Sequence, residues 1–589
     1  MAIGSPEAFE QAESAIKLAA RSGSWVLLKN VHLAPSWLVE LEKTVYKLAL
    51  HGSFRLFLTM EVNPRVPTTL LRASHVLLFE PPSGIKAAMT RSYTQAITKE
   101  RSDQRPVQRA KLHFIVAWFN AVVQERLRYI PIGWSKTYEF NQSDQRCVLD
   151  CVDEWVDSVG QGREAIDPDT IPWDALRTLV SQSIFGGKID NDFDQKILQS
   201  LVEYFFRKET FDVDCPLFTA DEDSSAQPLV IPDFKCYQDF LGWTKQLPNI
   251  ESPAWSGLPM NVEKLNRIRL AESLIASTRL LQGTDDDELP GPGQPGDRAA
   301  GQTQPGLVSL LARKVAAFDD VLPVELPTLQ RAGALVKNPL FRFLERECSV
   351  LSGLLQAVRK DLQLVREVCE GERKSTNHIK ALARALHADA VPPSWKKYVV
   401  PDSMPAAEWL NDFARRVEQL RRLAGSADQG RSGIWFGGLL GPEAFLIATQ
   451  QATAQQHSWS LEELELKLDF DPSPEEIQRA VDERSGFIVH GLAIESAEFD
   501  AAARRIRLSS QLASSLPTVN LQWVRRDSSS ARGQPAEEGS GGEGQAADLV
   551  SLPLYLTRSR KNLVCAVRMP TYGVPQHTWY QRGVALFAS

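Results

Sequence analysis

With 589 residues and a working size of roughly 150 residues per domain, the chain predicts about three or four domains, each able to bury its own core, and excludes a single small scaffold. Its residues are 43% hydrophobic and 24% charged, an ordinary globular composition, and no apolar run nears the roughly 20 residues of a membrane-crossing helix, so no membrane insertion is expected. Lys and Arg number 66 against 73 Asp and Glu, a net charge of -7, which offers no electrostatic footprint for nucleic acid.

Seven cysteines lack a paired framework, and the amino-terminal stretch is polar instead of basic then apolar, which together predict the reducing cytosol. Ser5-Pro6-Glu7 supplies an N-cap, a proline at the first helical position and an acid at the positive end of the dipole, and Gly23 follows Arg21-Ser22. That spacing predicts a helix over 5–21. Three short apolar runs come next: Trp25-Val26-Leu27-Leu28, Phe54-Arg55-Leu56-Phe57-Leu58 and His75-Val76-Leu77-Leu78-Phe79. An amphipathic stretch from Trp37 to Leu50 and the turn-rich Asn63-Pro64-Arg65-Val66-Pro67 separate them. Runs without alternation, joined by a helix, predict strands of a buried parallel sheet. A doubly wound nucleotide-binding sheet opens with a strand, a Gly-rich loop and a helix. Here a helix comes first, so the front of such a sheet is expected upstream of Met1.

Residues 106 to about 250 read as mainly helical, with apolar spacing through Leu112, Ile115, Val116, Phe119, Val122 and Val123 and then Val148, Val152, Trp155 and Val156. The stretch 283–306 is too rich in Pro, Gly and polar residues to offset chain entropy by burial, and reads as a disordered insert. Asn338-Pro339 opens a helix in which Leu344, Cys348, Leu351, Leu355, Val358, Leu362, Val365 and Cys369 recur at steps of four and three, ending at Gly371. Over only about four heptads such a seam predicts an intradomain helix pair before a free coiled coil. From Leu464 the period changes to two, with Leu464, Leu466, Leu468 and Phe470, then Val519, Leu521 and Trp523, then Val550, Leu552, Leu554 and Leu556, and last Leu563, Cys565 and Val567. This predicts a carboxy-terminal antiparallel barrel or sandwich, with 527–548 as a solvated insert between two strands. No internal repeat is found.

No string carries the glycines, Lys and Ser/Thr of a P-loop. Gly186-Gly187-Lys188 runs into Ile189 and reads as a turn. Two literal G-x-G-x-x-G strings, at 291–296 and 539–544, lie in low-complexity tracts without a preceding strand and are false positives. There is no C-x-x-C, H-E-x-x-H or G-x-S-x-G arrangement. Cys147 and Cys151, one helical turn apart, read as a buried helix face before zinc ligands. His32 and His75, beside apolar strands, read as core residues, and Glu462-Glu463 and Glu537-Glu538 as solvated acids. No metal site and no active site are expected in the chain.

The segments Trp25-Val26-Leu27-Leu28-Lys29-Asn30-Val31-His32-Leu33-Ala34 and Phe54 to Glu61 resemble the sixth AAA+ module of dynein heavy chains. Gln124-Glu125-Arg126-Leu127-Arg128-Tyr129, Gly133 to Phe140, Ile171-Pro172-Trp173 and Gly186 to Asp194 resemble that module's helical lid. Gly257-Leu258-Pro259, Pro442 to Phe445, Ser458 to Leu464 and Tyr580 to Ala585 resemble the dynein carboxy-terminal domain. Lys29-Asn30-Val31-His32 is closer to the cytoplasmic class than to the axonemal one, which tends to Gln-Asn-Cys-His. Leu439-Leu440-Gly441 departs from the family, replacing the usual aromatic of a Gly-Leu-Phe type string.

The resemblance implies a multidomain α/β plus α plus β chain. Residues 1–104 would be part of the module's large subdomain without its P-loop portion, 105–250 the lid, and 251–589 the carboxy-terminal domain, helical to 455 and β-rich from 456. It further implies the carboxy-terminal portion of a minus-end-directed microtubule motor of the cytoplasm and cytoskeleton. The partners would be the other ring modules, intermediate, light intermediate and light chains, and microtubules; ATP and Mg would be cofactors of the parent motor and not of this chain. An active AAA+ strand ends in Asp-Glu, the Asp holding Mg through its shell and the Glu orienting water. Lys29 and Asn30 stand in the matching positions, and Glu61 where active modules tend to use an amide. Arg72 matches a position from which a module can present an arginine to a neighbouring site, or makes a plain interface salt bridge. The rival readings are an autonomous non-motor scaffold and a nucleotide-binding ATPase in its own right.

Overall fold

The computed structural model describes residues 6–63, 65–80, 82–218, 229–282, 305–323, 325, 326, 329, 337–400, 404–425, 433–470, 486–509, 511–525, 548–572 and 574–588. The expected inserts 283–306 and 527–548 lie outside these residues except at their last positions, which open a helix and a strand. The protein divides into two units, 1–81 and 82–589.

The first unit runs α1 (Pro6–Ser22), β1 (Trp25–Leu28), α2 (Pro35–Lys47), β2 (Arg55–Leu58) and α3 (Thr68–Arg72). Strands β1 and β2 are parallel, with Trp25 opposite Arg55 and Leu28 opposite Leu58. Val26 and Leu28 turn inward onto Ala12, Ile16 and Ala19 of α1 and Trp37, Leu38 and Leu41 of α2. Phe9 stacks on Trp37 with ring centres 5.1 Å apart. Pro35 starts α2 at the position where its missing N–H costs nothing.

Two expectations fail here. The run 75–79 is not a strand, and its Leu77 and Phe79 are 79% and 90% exposed. A strand needs a ladder for its N–H and C=O groups, and β1 and β2 pair only with each other among the described residues. Nor is the sheet buried on both faces, since Trp25 is 71% exposed and Leu27 and Phe57 are exposed beside it.

The second unit opens with helices, as expected: α4 (Ile85–Gln95), α5 (Lys99–Ser102), α6 (Gln108–Arg126), α7 (Gln142–Gly160), α8 (Trp173–Thr178), α9 (Asp192–Phe205) and α10 (Tyr237–Gln246). Helix α6 is buried on nearly every side, the signature of a helix at the centre of a core. Phe114 stacks on Phe240 at 5.0 Å, and Phe119 meets Phe185 and Phe206 edge-on at 5.2 Å. Asn141 and Asp144 form a reciprocal capping box at the start of α7. Asp153 of α7 bonds the buried Arg109 at 2.6 Å and His113 at 2.8 Å, and also Arg101.

Next come α11 (Val262–Gln282), α12 (Pro305–Val321), α13 (Pro339–Cys369), α14 (Asn377–His387), α15 (Ala406–Gly425), β3 (Ile434–Trp435) and α16 (Pro442–His457). The Asn338 side chain caps α13, and its expected seam is buried from Leu344 through Val365. Helices α12, α14, α15 and α16 cover it, so the seam serves one domain and not a free coiled coil.

The β-rich end holds β4 (Leu464–Phe470), β5 (Gly486–His490), β6 (Leu492–Glu495), β7 (Ala497–Asp500), β8 (Arg505–Leu508), β9 (Ser514–Ser515), β10 (Val519–Arg525), β11 (Asp548–Tyr555), β12 (Leu563–Thr571) and β13 (Ala585–Ala588), with the short helix Gln576–Gln581 before the last. The four inward residues of β4 are buried and alternate with half-buried ones, as its period predicts. With β3 these strands form one sheet in the order β3-β5-β10-β4-β12-β11-β13-β6-β9, β7 and β8 lying off this path.

The expected antiparallel barrel is corrected. The pairs β3–β5, β4–β12, β8–β12 and β11–β13 are parallel, so the sheet is mixed, and no described pair joins its end strands β3 and β9 into a closed ring. Alternation fixes which face of a strand is buried and carries no information on its neighbours' directions.

Burial raises the Asp153 carboxyl, but hydrogen bonds and charge from His113 and Arg101 outweigh it and leave it at about 2. This folded value lies below the ordinary 3.8, so its contribution, roughly 2 kcal/mol, is present above about pH 4 and is lost as pH falls toward 2. Asp153→Asn should therefore destabilise the helical region by roughly 2–3 kcal/mol at pH 7 and flatten that part of the acid limb. Denaturant midpoints measured from pH 7 down to pH 2 check both.

Candidate functional site

The first candidate lies at the carboxyl ends of β1 and β2, where ligands of open α/β sheets bind. The structure brings Lys29, Asn30 and Glu61 there together. Leu28 O accepts from Thr59 N at 2.9 Å and Thr59 O from Val31 N at 3.1 Å, so the ladder runs one step past each strand. Asn30 turns the chain out of β1 with φ 60° and ψ 39°, a left-handed conformation that asparagine tolerates better than most residues. Its N–H donates to the Thr59 hydroxyl at 3.3 Å.

Sequence reasoning missed the role of His32. Its Nδ1 accepts from the Glu61 N–H at 3.2 Å, its Nε2 lies 3.8 Å from the Glu61 carboxylate, and its carbonyl accepts from the Asn63 side chain at 3.4 Å. It is therefore a bridge between the two strand ends and not a core histidine. No motif signalled it, because the contact exists only once β1 and β2 pair in parallel and their ends lie side by side. His75, the other expected core histidine, is exposed.

Mg-ATP does not fit these residues. The Lys29 ammonium cannot accept from a metal-bound water, and the Asn30 amide is a poor base. The nearby carboxylate, Glu61, is 77% exposed at its side chain and faces His32. Arg72 ends α3 and is exposed.

The expected turn at 186–188 is present. Gly186-Gly187-Lys188 is a single 3-10 turn, a Cβ on Gly186 would sit 1.7 Å from Ser181 O, and Lys188 Nζ bonds Asp144 at 2.7 Å. Cys147 is exposed and Cys151 half-buried on α7, which corrects the expected buried face. No group of three metal-ligating side chains occurs among the described residues.

The second candidate is a buried node at the end of α6 that no motif announced. Arg126 is fully buried. Its Nε donates to Gly133 O at 3.1 Å, and its Nη1 to Ser256 O at 2.8 Å and to Gln581 O at 2.9 Å. Burial lowers its pKa to about 9, with Asp194 pulling it up and Arg560 pushing it down, so it stays a cation at neutral pH. Around it, Gln581 Nε2 donates to Ser200 O at 3.2 Å, and Arg560 Nη2 bonds Glu495 at 2.8 Å and Gly583 O at 2.7 Å. Asp194 takes the Ser135 N–H at 3.1 Å, its hydroxyl at 2.5 Å and the Tyr138 hydroxyl at 2.6 Å.

Glu125, the preceding residue, accepts from Gly84 N at 3.0 Å, while Glu251 accepts from Ile85 N at 2.5 Å and Lys86 N at 2.8 Å. Burial raises the Glu125 carboxyl, Arg128 lowers it and Glu251 raises it further. The node can hold segments in register.

Comparison with known proteins gives matches along nearly the whole chain. The family model for the C-terminal domain of the dynein heavy chain matches residues 272–588, that for its AAA lid domain 109–262, and that for its region D6 P-loop domain 1–78. A relative from Paramecium tetraurelia named "Dynein heavy chain, cytoplasmic" is 43% identical over 99% of this chain and 12% of its own length. Those of the same name from Drosophila melanogaster and Dictyostelium discoideum are 40% and 37% identical over 100% and 99% of this protein, and 13% and 12% of their own lengths. The chain thus spans about an eighth of the relatives it matches.

The left-handed turn at Asn30 makes its own prediction. Asn30→Ala should destabilise the strand ends by about 1 kcal/mol, whereas Asn30→Gly should not. Amide exchange at Val31 and Thr59 reads the difference as an acceleration of about fivefold in the alanine variant alone.

Proposed function

The chain belongs to the dynein heavy chain family, and from that premise we propose that it is the carboxy-terminal portion of a cytoplasmic dynein heavy chain. In this reading a non-catalytic ring module, its lid and a carboxy-terminal domain support ATP-driven, minus-end-directed movement on microtubules. The observation that carries it is the 43% identity sustained over 99% of the chain. The node at Arg126 supports a mechanical part for these residues, since it joins segments far apart in sequence through one cation.

ATP and Mg would serve the other modules of the parent motor. Lys29, Asn30 and Glu61 are then the degenerate counterparts of an active site, and exposed Arg72 is available to a neighbouring module. The partners in this reading are the other ring modules, the intermediate, light intermediate and light chains, and microtubules, in the cytoplasm.

Two measurements test it. The 589-residue protein should show no saturable binding of labelled ATP at micromolar concentration; saturation would favour an ATPase in its own right. In the complete motor, deletion of residues 251–589 should change stall force or loaded velocity by a measurable fraction. Unchanged motility under load would overturn the mechanical role.

A further inference from the structure

Three connections meet at the last turn of α6. The stretch 82–84, which continues the chain from the first unit, is held through Gly84 N by Glu125. The segment that leads into α11 supplies both Glu251, clamped on Ile85 and Lys86, and Ser256 O, held by Arg126. The carboxy-terminal segment supplies Gln581 O to the same nitrogen of Arg126, and four residues later becomes β13. That strand is no edge: β11 flanks it on one side and β6 on the other.

Between Gln581 and β13 the path is stiff. Gly583 takes φ 63°, its Cβ position lies 2.4 Å from Ile132 O, and its carbonyl is held at 2.7 Å by Arg560, itself paired with buried Glu495 of β6. A displacement of Gln581 therefore has no slack to vanish into before it reaches the sheet.

We propose that Glu125-Arg126 is a mechanical relay, passing a displacement of the connector 82–84 to β13 and so to the carboxy-terminal sheet. Glu125 and Glu251 grip the connector, Arg126 grips the segment that carries Glu251 and the segment that becomes β13, and the rigid end of α6 keeps the two grips in step. The inference rests on the motor reading for its purpose, and the linkage itself is a property of this chain. Arg126 is a positioning residue in it.

The test is hydrogen exchange, read peptide by peptide, on the whole 589-residue protein with Glu251→Gln, Arg126→Lys or both. Glu251→Gln loosens the connector grip without changing side-chain size. It should speed exchange about threefold or more at 84–89 and also at 583–587, leaving 377–425 unchanged. In the Arg126→Lys background the distant effect should disappear while the local one persists. A merely structural Arg126 would not transmit, so acceleration confined to 84–89 would overturn the relay, as would an equal distant effect with the lysine present. Should Arg126→Lys not fold, Gly583→Ala displaces the receiving segment from its other side and is read in the same way. The experiment contains neither nucleotide nor microtubules, so its failure removes the relay and leaves the motor reading to the loaded-motility measurement.

Discussion

The second unit depends on one guanidinium that no carboxylate is bonded to. A buried cation costs several kcal/mol in lost hydration, and at Arg126 three backbone carbonyls offset that cost. The dependence is mutual. Without the arginine, three buried acceptors from residues 133, 256 and 581 lose their donor, at about 1–3 kcal/mol each. The backbone beside these acceptors is also bare at several points. A Cβ on Gly133 would lie 2.1 Å from Arg126 O, Gly257 takes φ 73° with Arg126 Nη1 nearby, and Gly583 adds the third close approach. The glycines in three separate strings thus let backbone segments approach closely at and beside the node.

Carboxylates perform the complementary task on helix starts. Gly84 and Gly441 occupy the N-cap positions of α4 and α16 and have no side chain to cap with. Glu251 supplies the missing acceptors to the first turn of α4, and Glu347 of α13 holds the two residues that lead into α16, bonding Leu440 N at 2.9 Å and Gly441 N at 3.1 Å. Burial raises the Glu347 carboxyl, and those two backbone donors and Arg416 pull it back down. A capping residue within its own turn fixes where a helix begins. One supplied from a distant element also ties the helix start to that element, as Glu347 ties the start of α16 to α13 alongside the Phe343–Phe445 contact.

That difference between local and distant partners decides what was legible in the sequence. The Pro6 start of α1, the Asn338 cap and seam of α13 and the alternation of β4 are local signals, and each appears as read. The run 75–79 has the same local signal as β1 and forms no strand, because its requirement is a ladder partner and not a composition. The short strands β6 to β9 escape notice for the converse reason: two to four residues carry too little period to be read, and pairing alone defines them. At the strand-end site, Lys29, Asn30 and Glu61 could be aligned from the motif, whereas the His32 bridge needed the register of β1 on β2. Of the node, every string was visible and none announced a common point, since Arg126 and Gln581 are 455 residues apart.

The two candidate sites also differ in what a substitution could restore. At the ends of β1 and β2 the Lys29 and Asn30 side chains are exposed, so exchanging either for an acid would add a carboxylate there without adding a phosphate cradle, which no string in the chain provides. At the node the constraint is geometric, and no single exchange of similar volume keeps it: an apolar side chain strands three carbonyls, and a lysine, with one nitrogen, cannot reproduce the planar fork that reaches Gly133 O with Nε and the other two with Nη1. Arginine is thus required there by the directions of three acceptors, and those directions are set by elements that only the folded chain brings together.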